Sequence, residues 1–127
     1  MTGRLEIAGF EVADLVQLAP ADLEALLQEE SAAWREKLDW DFTASADLVR
    51  RFTSRGMLSG NALIAHGMVA GYCYFVADEH KGLIGDLYVR GALGDEQAET
   101  LLLETVVRRL MLSPQVRRIE SQLMLLD

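Results

Sequence analysis

One carboxylate stands in the middle of an otherwise apolar part of this 127-residue chain. Asp86 lies between Gly82-Leu83-Ile84-Gly85 and Leu87-Tyr88-Val89, and this composition is typical of a β-strand. A buried carboxylate costs free energy unless it is paired or has a chemical task. Two interpretations of Asp86 are therefore open, a general base that accepts a proton and a structural hydrogen-bond acceptor.

A second group of reactive side chains combines acids with aromatic rings. The sequence Asp39-Trp40-Asp41-Phe42 carries an aromatic pair beside two carboxylates, and residues 22–41 hold seven acids and two bases. Aromatic faces and carboxylates both attract cations, so this stretch suits a positively charged amine. Trp34 follows the helical spacing of its leucine neighbours and is expected in the core, whereas Trp40 and Phe42 are expected to be more open.

The remaining reactive residue types point to no further chemistry. Cys73 lies between two tyrosines in a predicted strand and is expected to be a small buried apolar residue. As the only cysteine, it excludes an intrachain disulfide. His66 and His80 flank predicted turns and have no second ligand at metal spacing, so we predict surface histidines and no metal site.

Composition narrows the class of protein. The net charge of −8 disfavours nucleic acid as a partner, because phosphate binding needs an excess of Lys and Arg. Half of the residues are apolar, as in a globular domain. No apolar run approaches the roughly 18 residues of a membrane span, and the N-terminus lacks a secretory signal pattern. We therefore predict one soluble, cytoplasmic domain that does not bind membranes.

The hydrophobic periodicity predicts eight elements in the order β-α-α-β-β-β-α-β. The predicted ranges are strand 10–18, helices 19–38 and 45–55, strands 61–66, 69–77 and 82–89, helix 95–111 and strand 116–126. The three central strands should form an antiparallel meander, and the last strand should lie parallel to its neighbour through a helical crossover. Strand alternation places Ile84, Asp86 and Tyr88 on one face.

This order resembles the GNAT superfamily of N-acetyltransferases. Residues 61–72 resemble its second and third strands, where a tight turn leads to Val69-Ala70-Gly71; residues 85–89 resemble the fourth strand and residues 101–107 the following helix. The resemblance covers essentially the whole chain. It implies an α/β (α+β) mixed sheet with the acyl-CoA N-acyltransferase fold. It also implies a single domain over residues 1–127 that lacks the family's final helix and strands and is incomplete at its C-terminus.

The resemblance further implies acetyl-CoA as cosubstrate, with its diphosphate held by a loop of pattern R/Q-x-x-G-x-G/A. The corresponding window is residues 93–98, in which Leu93 replaces the Arg or Gln, Glu96 replaces the first Gly, and only Ala98 fits. Asp95, Glu96 and Glu99 place three carboxylates where the diphosphate is expected. The implied cofactor-binding residues are Leu87, Val89, Arg90, Gly94, Gln97 and Ala98.

The implied activity is transfer of acetyl from acetyl-CoA to a primary amine, small or peptidic, by direct attack. The implied catalytic residues are Asp86 first, then Glu120 across the gap between the last two strands, with Tyr88 on the face of Asp86. The implied acceptor site lies between the first two helices and the sheet, with Trp40, Asp41, Phe42 and Tyr74. Two alternatives stay open: a non-catalytic interaction or regulatory module, and a homodimer paired through the last strand.

Overall fold

The computed structural model describes residues 5–122 and 124–126, which form one six-stranded sheet with helices on both faces. The elements are β1 Leu5–Ile7, β2 Phe10–Asp14, α1 Pro20–Leu38, α2 Thr43–Ser54, β3 Ser59–Ala65, β4 Met68–Asp78, β5 Lys81–Val89, α3 Glu96–Leu112 and β6 Arg118–Ser121. The strands lie in chain order; β1 to β5 are antiparallel, and β6 is parallel to β5. The predicted mixed sheet, antiparallel meander and parallel last strand are confirmed.

The first and the last of the predicted strands are shorter in the structure than the sequence predicts. The predicted strand over residues 10–18 ends at Asp14, whose Oδ1 accepts a hydrogen bond of 3.1 Å from the Val16 amide and caps a 3₁₀ turn over Leu15–Gln17. The strand predicted over residues 116–126 extends only over Arg118–Ser121, and residue 123 lies outside the described residues. β1 was not predicted, because three residues are too few for a periodic pattern.

The two faces of the sheet carry separate cores. On one face, α1 and α2 pack through Leu26, Leu27, Trp34 and Val49, and the predicted burial of Trp34 is confirmed. Phe42 is buried as well, so the expectation that it is open was wrong: its ring stacks on Trp34 and is covered by the helix pair. On the other face, α3 packs through its regularly spaced apolar residues, which are Ala98, Leu102, Val106 and Leu110.

A β-bulge at Gly85 changes which side chains share a face of β5. Tyr74 of β4 lies opposite Asp86, but the next residue, Phe75, lies opposite Ile84, so Gly85 is an extra residue. Ile84 therefore packs on the α3 side, whereas Asp86 reaches the α1 side. The predicted grouping of Ile84 with Asp86 was wrong, because strict alternation does not continue through a bulge.

The bulge requires glycine because a ring lies against it. A Cβ on Gly85 would lie 2.1 Å from Cε1 of Tyr74. We expect Gly85→Ala to lower the free energy of unfolding by about 1–3 kcal/mol, the usual cost of overpacking, as measured by urea denaturation. Gly91→Ala is the matched control, since no atom lies within 4 Å of its added Cβ, and should stay within about 0.5 kcal/mol of wild type. Equal losses for the two variants would contradict the steric argument.

Among the described residues, the pairing of β5 with β6 ends at this bulge, and the stretch beyond it is an opening in the sheet. The pairing joins residues 81–84 to Arg118–Ser121, and a further hydrogen bond of 3.1 Å runs from the Gln122 amide to the Ile84 carbonyl. Residues 85–89 of β5 lie beyond this register. Met124 packs toward α3 and Leu125 toward α1, so the chain after β6 borders both sides of the opening.

Candidate functional site

A cavity of about 210 Å³ lies at this opening, on the α1 and α2 side of the sheet. Its walls are aromatic and its floor carries Asp86; the lining residues are Trp34, Trp40, Phe42, Ser45, Tyr74, Gly85, Asp86 and Gln122. The Trp34 and Phe42 rings stack with centroids 5.6 Å apart and planes 7° from parallel. α1 supplies Trp34, and the connection to α2 supplies Trp40, whose side chain is 59% exposed at the mouth. The cavity thus combines π faces with one carboxylate.

Asp86 presents one engaged and one free oxygen. The residue is only 3% exposed, and its Oδ2 accepts a hydrogen bond of 2.7 Å from the Tyr72 hydroxyl. Its Oδ1 is buried and has no hydrogen-bond partner among the described residues. Such an atom is costly unless something binds it. Because Asp86 lines the cavity, a donor bound there would satisfy Oδ1.

Asp86 belongs to a buried network with Tyr72, Glu30 and Trp34. The Tyr72 hydroxyl oxygen lies 2.9 Å from Oε1 of Glu30, in addition to its contact with Asp86. The Trp34 Nε1–H donates to Oε2 of Glu30 at 3.0 Å. A phenol has one hydrogen and cannot donate to two carboxylates at once. The network is therefore complete only if one carboxyl group carries a proton and donates it to the Tyr72 oxygen.

Desolvation favours Glu30 as the group that holds this proton. Glu30 is fully buried, and desolvation together with the neighbouring Asp86 raises its pKa to about 10. Neutral Glu30 donates through Oε1 to Tyr72, and Tyr72 then donates to Asp86. Burial also raises the pKa of Tyr72 well above its ordinary value, so the phenol stays neutral. With the proton on Glu30, the network carries a single negative charge beside the cavity.

The structure brings together part of the predicted site. Trp40, Phe42 and Tyr74 line the cavity with Asp86, whereas Asp41 is exposed and its Oδ1 accepts from the Thr43 amide at 3.0 Å, at the start of α2. Hydrogen bonding from the Thr43 side chain, and then from its amide, lowers the pKa of Asp41.

Glu120 lies on the paired part of β6, opposite Leu83, and away from the cavity. Its carboxylate forms ion pairs with Arg118 at 2.9 Å and Lys81 at 3.8 Å. The structure therefore does not bring Glu120 to Asp86.

Tyr88 lies in a second cluster, at the end of β5. Its hydroxyl donates to Oε2 of Glu29 at 2.9 Å, and burial raises its pKa, with Glu29 adding to the effect. The Gly91 amide donates to the same oxygen at 3.2 Å, and Arg90 Nε donates to Oε1 at 3.2 Å. One carboxylate thus accepts from a phenol, a guanidinium and a main-chain amide.

A second cavity, of about 170 Å³, lies on the α3 side of the opening. Its apolar lining, from Leu87, Leu103 and Leu126, suits the pantetheine arm of an acyl thioester. Its other walls include Glu99 and Glu96, and the exposed carboxylate of Glu96 opposes an anion. This side of the opening therefore fits the uncharged half of acetyl-CoA and not its phosphates.

The loop after β5 does not fit a diphosphate either. The Ala98 amide donates to Oδ1 of Asp95 at 3.2 Å, and the Gly94 amide donates to the Arg90 carbonyl at 3.0 Å. Gln97 is exposed at the start of α3, and Val89 is half-buried beside Gly94. The Gly91, Gly94 and Ala98 amides are thus engaged by the chain's own oxygens, and Arg90 is paired with Glu29.

The sequence interpretation missed Glu29, Glu30 and Tyr72. A signal for Glu30 was present, because it falls on the stripe formed by Leu23, Leu26, Leu27 and Trp34, and a carboxylate on an apolar helix face needs a partner. Glu29, one residue along, had no such signal.

Among the described residues, no group of three His, Cys, Asp or Glu side chains is arranged to hold a metal ion. Within the same part of the chain, no helix has the length and apolar character to cross a bilayer.

A mixed sheet that opens after a bulge in its central strand, with two helices on one face and one on the other, is the GNAT acetyltransferase fold. The resemblance inferred from sequence is therefore confirmed at the level of the fold. The sequence matches no protein-family model and no curated protein.

Solved structures share this fold at low sequence identity. A possible acetyltransferase from Clostridium difficile 630 superposes with a TM-score of 0.65 at 7% identity, over 90% of this chain and 79% of that one. A ribosomal-protein-alanine N-acetyltransferase from Brucella melitensis biovar Abortus 2308 gives 0.60 at 8% identity, over 89% and 79%. An aminoglycoside N-acetyltransferase solved in complex with CoA gives 0.59 at 13% identity, over 94% and 81%.

Proposed function

We propose that this protein transfers an acetyl group from a thioester donor, of which acetyl-CoA is the fold's usual example, to a primary amine bound in the aromatic cavity. The observation that carries the proposal is the unpartnered buried Oδ1 of Asp86 in the lining of that cavity. The solved acetyltransferases of the same fold support the reaction class.

The cavity suits a monocationic amine. The Trp34 and Trp40 rings offer faces on which a cation is stabilised by about 0.5–2 kcal/mol, and Asp86 adds a single opposite charge. Because Glu30 is neutral, the site does not carry the two adjacent charges that a buried carboxylate pair would otherwise impose. The acceptor would therefore enter as an alkylammonium ion with an apolar neighbouring segment.

Asp86 would act as the general base. An ammonium ion cannot attack a carbonyl, so its proton must first leave, and Oδ1 is the acceptor within the cavity. Tyr72 holds Oδ2 and fixes the carboxylate, which makes Tyr72 a positioning residue. The neutral amine nitrogen then attacks the acetyl carbonyl carbon, so that a C–N bond forms, the C–S bond breaks and the thiolate leaves and takes up a proton. Binding the amine, orienting it and accepting its first proton fall to this chain.

The activity is tested by thiol release and mass spectrometry. Acetyl-CoA and S-acetyl-pantetheine are each offered with polyamines, aminoglycosides and lysine peptides. Formation of an acetylated amine that needs both thioester and protein supports the proposal. Absence of acetylated product with both donors and all acceptors would contradict it.

The aromatic wall yields a separate prediction. We expect Trp40→Ala to weaken the binding of a cationic amine by about 3- to 30-fold, the range of a cation–π contact, as measured by calorimetry with the tightest amine of the panel. Since Trp40 is 59% exposed, its loss should leave the thermal midpoint nearly unchanged. Leu38→Ala, at an equally exposed position on α1, is the control and should not alter binding.

A non-catalytic amine-binding module is the second candidate function. The observation that favours it is the set of carboxylates at the loop after β5, where Glu29 and Asp95 engage main-chain amides. This candidate predicts amine binding that depends on Asp86 without acetyl transfer from either thioester. The two functions therefore differ in turnover and not in amine affinity.

The homodimer stays a prediction, with light scattering as its test. β6 is four residues long and carries Arg118 and Glu120, and short charged strands are a common means of avoiding edge pairing. A particle mass of 14.1 kDa would contradict the dimer.

A further inference from the structure

We infer that Glu29 is an internal anion that occupies the loop after β5 and selects for short, uncharged acetyl thioesters over donors that carry a diphosphate. The inference rests on the proposed acetyl transfer and names its donor class. It makes Glu29 a specificity-determining residue, since its carboxylate fills the place of an anionic group of the donor.

The contacts of Glu29 are those of a bound anion. Its two oxygens accept from the Tyr88 hydroxyl at 2.9 Å, from Arg90 Nε at 3.2 Å and from the Gly91 amide at 3.2 Å. A guanidinium and a main-chain amide at a strand–helix loop are the donors that proteins use for phosphate oxygens. Here the side chain of Glu29 on α1, which is 34% exposed, accepts hydrogen bonds from both of these donors. A diphosphate at this loop would have to displace Glu29 or lie beside its charge.

The other side of the loop adds repulsion. Asp95 caps α3 through the Ala98 amide, so that amide is already engaged. Glu96 is exposed, lines the second cavity and faces any anion that approaches the start of α3. Glu29, Asp95 and Glu96 therefore place three carboxylates about this loop, and like charges repel a diphosphate.

The uncharged part of a thioester meets no such obstacle. Leu87, Leu103 and Leu126 form the apolar wall of the second cavity. Residues 85–89 lie beyond the pairing with β6, so the sheet is open where an acetyl group would approach Asp86. The site thus has an apolar wall that accommodates the pantetheine part of a donor and a group of carboxylates that repels the diphosphate part. Pantetheine has no diphosphate, so it meets only the apolar wall.

The test compares CoA with pantetheine as binding probes, by calorimetry on the intact protein. We expect wild type to bind CoA no more tightly than pantetheine. We expect Glu29→Gln to strengthen CoA binding at least about tenfold, since a charge-assisted competitor is removed, and to change pantetheine binding by less than about twofold. Glu36→Gln removes the same charge from an exposed position on the same helix and should behave as wild type.

Two results would overturn the inference. The first is a wild-type protein that binds CoA more than about tenfold tighter than pantetheine, a comparison that needs no variant. The second is a folded Glu29→Gln protein with an unchanged CoA-to-pantetheine ratio.

Failure of the proposed function is distinguishable from failure of this inference. If S-acetyl-pantetheine yields no acetylated amine while the affinity ratios follow expectation, the acetyl-transfer proposal fails and the selectivity of the loop stands. If acetyl-CoA is an efficient, tightly bound donor, the inference fails and the acetyl-transfer proposal stands.

Discussion

The Asp86→Asn substitution is expected to lower the rate of amine acetylation by about 10²- to 10⁴-fold, the usual contribution of a positioned general base. Asparagine keeps the shape of the side chain, and its carbonyl oxygen can still accept from Tyr72. It removes the negative charge and the proton acceptor at Oδ1. Amine affinity should fall at least about tenfold, because Asp86 is the one carboxylate among the described residues that line the cavity.

Asp78→Asn is the matched control for this experiment. Asp78 ends β4 in an exposed position outside the cavity, so its substitution removes one charge without touching the site. The rate should stay within about twofold of wild type, since surface substitutions have small effects. An Asp86→Asn protein that is folded and retains most of its acetylation rate would show that Asp86 is only a structural acceptor.

The second large effect is a loss of folding stability with rising pH that depends on Glu30. Its folded pKa of about 10 lies above the ordinary value of 4.5, so between these values the native state holds a proton that the unfolded state has released. The stabilisation is full below the unfolded pKa and declines as pH rises toward the folded pKa. The contribution should therefore decrease steadily as pH rises above the unfolded pKa, by on the order of 1 kcal/mol for each pH unit.

The Glu30→Gln variant isolates this contribution. A glutamine amide can accept from Trp34 and donate to the Tyr72 oxygen, as neutral Glu30 does, without a titrating proton. Urea denaturation of both proteins between pH 5 and pH 9 gives the difference in unfolding free energy. This difference should shift steadily in favour of Glu30→Gln as pH rises. A difference independent of pH would show that Glu30 is ionised in the folded protein.

These two experiments probe one network from opposite ends. Glu30 stores the proton that completes the hydrogen bonds, and Asp86 retains the charge that faces the cavity. If Glu30 were ionised, two buried carboxylates would flank a phenol with a single hydrogen, which is a strongly unfavourable arrangement. Hydrogen-bond counting requires one proton on the pair of carboxyl groups, and desolvation favours Glu30 as the group that holds it.

The sequence was most informative about regular elements. The α1 and α3 patterns predicted both helices within one residue of their observed ends, because long amphipathic repeats carry a strong periodic signal. The apolar central strands, β-branched or aromatic in part, and the turn at His66-Gly67-Met68 predicted the meander, and His66 and Gly67 have positive φ. Asp86 was identified as unusual because an acid in an apolar strand is conspicuous without a structure.

The short strands and the β-bulge could not be predicted from the residue pattern. β1 has three residues and β6 has four, so neither holds a full alternation, and the strand predicted over residues 116–126 was too long. The bulge at Gly85 also left no periodic signature, although it decides that Ile84 and Asp86 face opposite sides of the sheet.

The sequence by itself determined the order of elements, the apolar faces of the helices and the presence of an acid in the central strand, since these depend on neighbours along the chain. The tertiary structure alone decided which acids act together. Glu30 and Tyr72 are 42 residues apart, and Glu29 and Tyr88 are 59 apart, so their contacts arise from how α1 packs across β4 and β5. The charge of a carboxyl group depends on its burial and its partners, and both are properties of the folded chain.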